Sequence, residues 1–263
     1  MTFARLLSWA ITCYNQASHY SLLCHFGPGD HSAYSMTPSR YFALIPAAGV
    51  GARMGGDLPK QYLPLAGKPM LGHVVEVFLA HPKIDHVFVV VSENDGWVDS
   101  VLPGEASGVT VLRCGGATRR DSVLGGLRAI RELVESNDWM LVHDAARPGI
   151  TAELITKLIA EVGDDPVGGL LALPVTDTVK RQEADKMTTV SREGLWLAQT
   201  PQMFPYAILR RVLQLVPDVT DESSAMEAVG LSPKLVEGHL RNSKVTRPAD
   251  KELVECFLRS TDQ

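Results

Sequence analysis

The run His86-Val-Phe-Val-Val-Val-Ser92 limits the fold more than any other stretch of the chain. Uninterrupted β-branched and aromatic residues leave no polar face, so a strand made from them must be covered on both sides. A sheet layered between helices provides that cover. Further apolar runs at 41–45, 109–114, 139–143 and 168–175 read as strands too. Between them lie helical patterns. One runs from Pro69 to about Ala80 with Met70, Leu71, Val74, Val77 and Phe78 on one face; another covers about 122–134 with Leu124, Leu127, Ile130, Leu133 and Val134 on one side. Helices are also expected from Pro205 to about Val216, after an N-cap at Thr220, and from Pro248 to about Leu258, with a strand at 235–237. The alternation predicts an α/β fold with a mostly parallel, twisted sheet flanked by helices and joined by right-handed crossovers.

In such a sheet ligands gather beyond the carboxyl ends of the strands. That rule selects three segments: 46–60, 115–122 and 144–148. In the first, the strand stops at Pro46, where a ladder N–H is lost. Ala47, Ala48, Gly49 and Gly51 then leave room for backbone N–H groups to approach a ligand oxygen, while Arg53 and Lys60 add permanent positive charge. Such a loop suits a polyphosphate. It is not the dinucleotide fingerprint, because Met54 stands where the third glycine is required, and no Gly-Lys-Ser/Thr follows as in a P-loop. A glycine-rich turn without a ligand is the plain alternative.

The second segment, Gly115-Gly116-Ala117-Thr118-Arg119-Arg120-Asp121-Ser122, leads into a helix. Its N-terminal N–H groups favour an anion or a base carbonyl. Alternatively it is a solvated cap made by Asp121 or Ser122. In the third, Asp144 ends a buried strand and is followed by two alanines and Arg147, which suits a magnesium ligand beside a phosphate contact. The competing possibility is an Asp144–Arg147 ion pair closing a turn. His143 reads as a satisfied core histidine rather than a base.

Residues 176–193 form a polar excursion without a core-facing stripe, flanked by two strands, and resemble an arm that finds a partner subunit. The formal net charge of −5 gives no general attraction to nucleic acid or anionic membranes, so a phosphate site must be local. Nothing approaches a transmembrane length. Four scattered cysteines (Cys13, Cys24, Cys114, Cys256) argue against a disulfide framework and favour the cytoplasm. Residues 1–38 lack period and precede a domain expected over 39–263. Their Cys13, His19, Cys24, His25 and His31 match no metal-ligand spacing. We expect these residues to pack poorly, as an upstream extension or a start placed before Met36.

Nine short motifs lie in these loops and further along the chain. They are Pro-Ala-Ala-Gly-x-Gly-x-Arg-Met at 46–54, Pro-Lys-Gln-Tyr at 59–62, Gly-Gly-x-x-Arg-x-Asp-Ser-Val at 115–123 and Val-His-Asp-Ala-Ala-Arg-Pro at 142–148. They continue with Pro-Val-x-Asp-Thr-x-Lys at 174–180, Leu-Trp-x-x-Gln-Thr-Pro-Gln at 195–202, Thr-Asp-Glu-x-Ser-Ala at 220–225, Val-Glu-Gly at 236–238 and Lys-Val-Thr-Arg-Pro at 244–248. In order and spacing these motifs resemble those of the 2-C-methyl-D-erythritol 4-phosphate cytidylyltransferase family.

The resemblance, which begins near residue 40, implies a Rossmann-like nucleotidyltransferase that moves a cytidylyl group from CTP, with magnesium or another divalent cation, to a sugar-alcohol phosphate. It implies nucleotide contacts at Ala47, Ala48, Gly49, Gly51, Gly116 and Ser122, and catalytic cations at Arg53, Lys60 and Lys244. Asp144, Arg147, Thr178, Arg192 and Thr200 would surround the methylerythritol phosphate, with Asp144 also a metal ligand. Thr178 and Arg192 would reach across from the partner's arm in a homodimer. Ala117 and Thr118 depart from the family pattern, in which acids are common. Cytidylylation of ribitol 5-phosphate, another sugar-phosphate nucleotidyl transfer and a regulatory module without turnover remain as alternatives; Arg53, Lys60, Asp144 and Lys244 together speak against the last.

Overall fold

All five apolar runs expected as strands lie in one seven-stranded sheet. Residues 39–49, 58–102 and 108–260 are described in the structure, a computed structural model. In chain order the elements are β1 (Tyr41–Pro46), the two-residue strands β2 (Pro64–Leu65) and β3 (Lys68–Pro69), α1 (Met70–Ala80), β4 (Ile84–Val90), α2 (Val98–Val101), β5 (Val109–Leu112), α3 (Arg119–Ala129) and β6 (Trp139–Val142). They continue with α4 (Ala152–Val162), β7 (Gly169–Pro174), β8 (Val179–Glu183), β9 (Lys186–Val190), β10 (Trp196–Pro205), α5 (Tyr206–Leu215), α6 (Glu222–Ala228), β11 (Lys234–Glu237) and α7 (Pro248–Arg259).

The sheet order is β11-β7-β10-β6-β1-β4-β5. Every pairing is parallel except the two made by β10. Alternation along the strands explains the two helical layers. Ala43, Ile45, Val87 and Val89 point toward α1 and α4, where Val74, Phe78, Ile155 and Leu158 meet them. Phe42, Leu44, Phe88 and Val90 point the other way, onto Leu124 and Leu127 of α3, Leu209 and Leu213 of α5, and Met226 of α6. Each Val, Leu, Ile, Phe or Met among them contributes about 1.5–3 kcal/mol by leaving water. The expected α/β architecture is therefore observed.

Strand β10 is exposed from Trp196 to Ala198 and buried from Gln199 to Phe204. Its pairing with β7 shifts register between Ala198 and Gln202, so Gln199, Thr200 and Pro201 leave that ladder. Strands β8 and β9 pair only with each other, and Ala184 at their tip has a left-handed φ of 49°. The expected arm is thus a polar, exposed hairpin.

Three boundaries differ from expectation. Helix α3 starts at Arg119, because the extended Thr118, not Asp121 or Ser122, accepts the Asp121 N–H at 3.0 Å. It stops at Ala129, not near Val134: Asp138, paired with Arg40 at 2.6 Å, accepts the Glu135 N–H at 2.7 Å and draws this segment toward β6, leaving Leu133 exposed. Helix α6 is capped by Asp221 rather than Thr220, through a reciprocal bond pattern with Ser224. All described residues belong to one unit, Ser39–Gln263, and the 1–38 segment lies outside them. Among the described residues no helix is long and apolar enough to cross a membrane.

Candidate active site

Because β1, β4, β5 and β6 run parallel, their carboxyl ends share one edge of the sheet. The chain steps from β1 to β4 on one side and to β6 on the other, and this reversal opens a crevice. A cleft of about 460 Å³ lies there, lined by the ends of all three expected loops.

The first loop is held from behind. Ala47 continues the ladder through its N–H to Val90 O at 2.7 Å, its own carbonyl accepts from the buried Gln61 amide at 2.6 Å, and Ser92 Oγ donates to Ala48 O at 3.0 Å. Gly115 must lack a side chain, since a Cβ there would collide with Ala48 and the Val91 carbonyl; the first two loops touch across it. The Ser122 hydroxyl donates to Thr118 O at 3.0 Å and accepts the Gly116 N–H at 3.1 Å. Ser122 therefore shapes the loop that opens α3.

Asp144 is the one carboxylate among the described lining residues of this cleft, which also carries Lys60, Arg119 and Lys244. Three cations against one anion make a site for negative charge. Arg119 Nε bonds Asp144 Oδ1 at 2.7 Å and Lys244 Nζ bonds Oδ2 at 2.7 Å, while Arg147 stands off at 3.8 Å. The pair foreseen between Asp144 and Arg147 is thus the loosest of the three. Burial pushes the Asp144 pKa up, but the charges of Arg119 and Lys244 outweigh it and hold the group well below the usual carboxylate range. The guanidinium of Arg119 is in turn gripped at both ends by Glu222, Nη1 to Oε1 at 2.7 Å and Nη2 to Oε2 at 3.0 Å.

A second hollow of about 160 Å³ shares Arg119, Asp144 and Lys244 with the first and adds Arg147, Gln199, Thr200, Gln202 and Asp221. The Thr200 hydroxyl receives the Asp144 N–H at 3.0 Å and meets His143 Nδ1 at 3.0 Å. His143 is wholly buried against the Phe78 ring, and burial pushes its pKa down to about 4. It is neutral at pH 7 and a core histidine, as its sequence setting predicts. The Asn242 side-chain amide donates to Thr200 O at 2.7 Å, and the Asn242 backbone carbonyl accepts from Arg147 at 2.9 Å. Lys244 is located by its neighbour: Val245 donates to Ala146 O at 2.8 Å, accepts from Lys60 Nζ at 2.9 Å, and packs with Met70 and Val254.

Residues 41–260 match the model of one family, described as 2-C-methyl-D-erythritol 4-phosphate cytidylyltransferase. The chain belongs to that family. A relative from Azoarcus sp. (strain BH72) bearing that name is 52% identical over 224 residues, 84% of this chain and 95% of its own length. One from Bordetella parapertussis is 52% identical over 225 residues, covering 82% and 97%. Among solved structures, a 4-diphosphocytidyl-2C-methyl-D-erythritol synthase superposes with a TM-score of 0.76 at 39% identity, covering 84% of this chain and all of that one. The cytidylyltransferase of Francisella tularensis gives 0.71 at 34%, covering 83% and 100%.

Of the residues that the cytidylyltransferase resemblance singles out, Ala47, Ala48, Gly49, Lys60, Gly116, Ser122, Asp144 and Lys244 line the first cleft. Arg147 and Thr200 line the second. Gly51 and Arg53 lie outside the described residues. Thr178 and Arg192 are exposed beside the hairpin and line neither cleft of their own chain. Sequence reasoning gave no role to Arg119, Glu222, Gln199, Gln202 or Asn242. Arg119 and Glu222 sit inside recognised motifs, in Gly-Gly-x-x-Arg and Thr-Asp-Glu, which was the available signal.

Proposed function

We propose that this chain transfers the cytidylyl group of CTP to 2-C-methyl-D-erythritol 4-phosphate, releasing pyrophosphate, as a step of non-mevalonate isoprenoid synthesis. The observation that carries it is the gathering of Lys60, Arg119, Lys244 and Asp144 in one cleft at the sheet's switch point, in a chain matched to this family from 41 to 260. The first cleft takes the nucleotide, with backbone groups of Ala47, Ala48, Gly49 and Gly116 near base and ribose and the start of α3 favouring its charge. The second takes the polyol phosphate between Arg147, Thr200 and Lys244. A phosphate monoester is already ionised at neutral pH, so its oxygen attacks the α-phosphorus without a general base. The protein's task is alignment and charge neutralisation, assigned to Lys60, Lys244 and Arg53.

Magnesium fits this site in one particular way. Among the described residues no cluster of three or more His, Cys, Asp or Glu could cage a metal, yet Asp144 lines the cleft as an ionised carboxylate. One carboxylate plus substrate phosphates is a usual donor set for magnesium, and Asp144 would be its protein ligand. When bound, the ion would neutralise charge on the triphosphate.

Assays of pyrophosphate and product release with each of the four nucleoside triphosphates are expected to show strong preference for CTP with methylerythritol phosphate. Equal turnover with a purine triphosphate, or with ribitol 5-phosphate as acceptor, would overturn the assignment. A cytoplasmic location agrees with the free thiols of Cys114 and Cys256.

We further propose a homodimer in which the hairpin of each subunit brings Thr178 and Arg192 to the other's second cleft; what supports it is that both residues are exposed and idle in their own chain. Arg192→Ala and Lys244→Ala are each expected to be weak alone. Mixed with subunit exchange, they should recover about a quarter of wild-type turnover, because half of the dimers then carry one intact site. No recovery despite demonstrated exchange would refute the shared site.

A further inference from the structure

Glu222 has no exposure to solvent and lines neither cleft, yet both of its oxygens accept from a guanidinium that does. A bidentate fork fixes the plane of Arg119 as a single bond would not. With Nη1 and Nη2 turned to Glu222, it is Nε that faces Asp144 Oδ1, leaving Oδ2 toward Lys244. An Arg119 without that grip would be a long, mobile cation beside a polyphosphate cleft.

The other end of the chain of contacts is equally fixed. Gln202 accepts the Ser223 N–H at 2.8 Å and donates to Asp221 Oδ2 at 2.8 Å, so the first residues of α6 are tied to β10. Gln202 itself pairs with Val142 of β6, two positions before Asp144. Glu222 and Asp144 are thus referenced to the same pair of strands, and Arg119 spans the interval. Arg119, Lys244 and, at 3.8 Å, Arg147 face the carboxylates of Asp144 and Glu222, so each carboxylate has an opposite charge beside it and the set can stay ionised in a half-dry pocket.

We propose that Glu222 is a positioning residue for cytidylyl transfer: through Arg119 it fixes the Asp144 carboxylate, and through that the Lys244 ammonium, where the two clefts meet. This rests on the cytidylyltransferase assignment above and adds a residue to it.

The test compares wild type, Glu222→Gln, Arg119→Lys and the double variant. Each single change is expected to lower kcat roughly tenfold or more, a barrier of about 1.4 kcal/mol. Each should also raise KM for the polyol phosphate at least about threefold, which mere loss of folded protein would not do. The double variant should be no slower than the slower single one, because both act through one contact. Multiplying effects, or a Glu222→Gln enzyme within about threefold of wild type in kcat, would overturn the proposal. If Glu222→Gln does not fold, Glu222→Asp keeps the charge, shortens the reach and is read by the same criteria. Absence of wild-type turnover would refute the functional assignment instead. A crystal structure of the variant then decides for Glu222: the Arg119–Asp144 contact should be broken, and its persistence at 2.7 Å would overturn the role.

Discussion

Lys60→Ala is expected to lower kcat by about a hundredfold or more while leaving the fold in place. Negative charge shifts toward pyrophosphate as the bond to the α-phosphorus breaks, so a cation at the leaving group binds the transition state better than the ground state. Loss of one such donor costs about 3 kcal/mol. Lys60 follows Pro59 in a short 3-10 turn at the mouth of the cleft and bonds Val245 O at 2.9 Å, so it also ties the first loop to the segment bearing Lys244. That second contact predicts a modest stability loss as well, about 1 kcal/mol or a few degrees in Tm. Stopped-flow turnover and thermal melts of the same protein separate the two effects. A kcat within about threefold of wild type, less than roughly 0.7 kcal/mol, would leave Lys60 with the structural contact alone.

Asp144→Asn is expected to be the most destabilising of the conservative changes in the site. The substitution keeps shape but removes what is, among the described residues, the only negative charge facing Arg119, Lys244 and Arg147 together. Breaking a buried pair by neutralising one partner costs about 3–5 kcal/mol, and here the new amide also presents donors to donors. Denaturant midpoints should fall accordingly, and turnover should be abolished in the fraction that folds. The acid side gives an independent check. A carboxylate whose folded pKa is depressed stabilises the fold above its unfolded pKa of about 3.9, and the contribution disappears as pH falls below that value. Wild type should therefore lose stability in strong acid along a limb that the Asn variant lacks. A variant with unchanged midpoint would show that the three cations are satisfied by solvent.

How much of this could be read in the chain depends on the kind of contact involved. The central strands announced themselves, since 86–92 has no polar face to offer water, and the rule that ligands sit past the carboxyl ends then located Ala47, Gly116 and Asp144 in one cleft. The partners of Asp144 did not. Arg147, near in sequence, was the natural candidate, whereas Arg119 lies 25 residues away and holds the carboxylate at 2.7 Å. Glu222 was legible as an acid in the first turn of a helix, and nothing in local pattern tells a solvated acid from one buried on a guanidinium. Helix ends failed for a related reason: the stop at Ala129 is imposed by Asp138 and Arg40 from outside the helix.

Strand β10 has a consequence for where such a chain can change length. Its outer residues stand at the stem of the hairpin and its middle presents Thr200 to Asp144, so one stretch of extended backbone sets the spacing between periphery and reaction centre. Side chains in a strand switch faces at every step, and one residue inserted between Trp196 and Ala198 would swing Thr200 off the carboxylate loop. Residues added beyond Glu183 would lengthen a ladder that β8 and β9 share with no other described strand. The hairpin tip is in this sense a free variable, while the stem is a ruler whose graduations are fixed by chemistry.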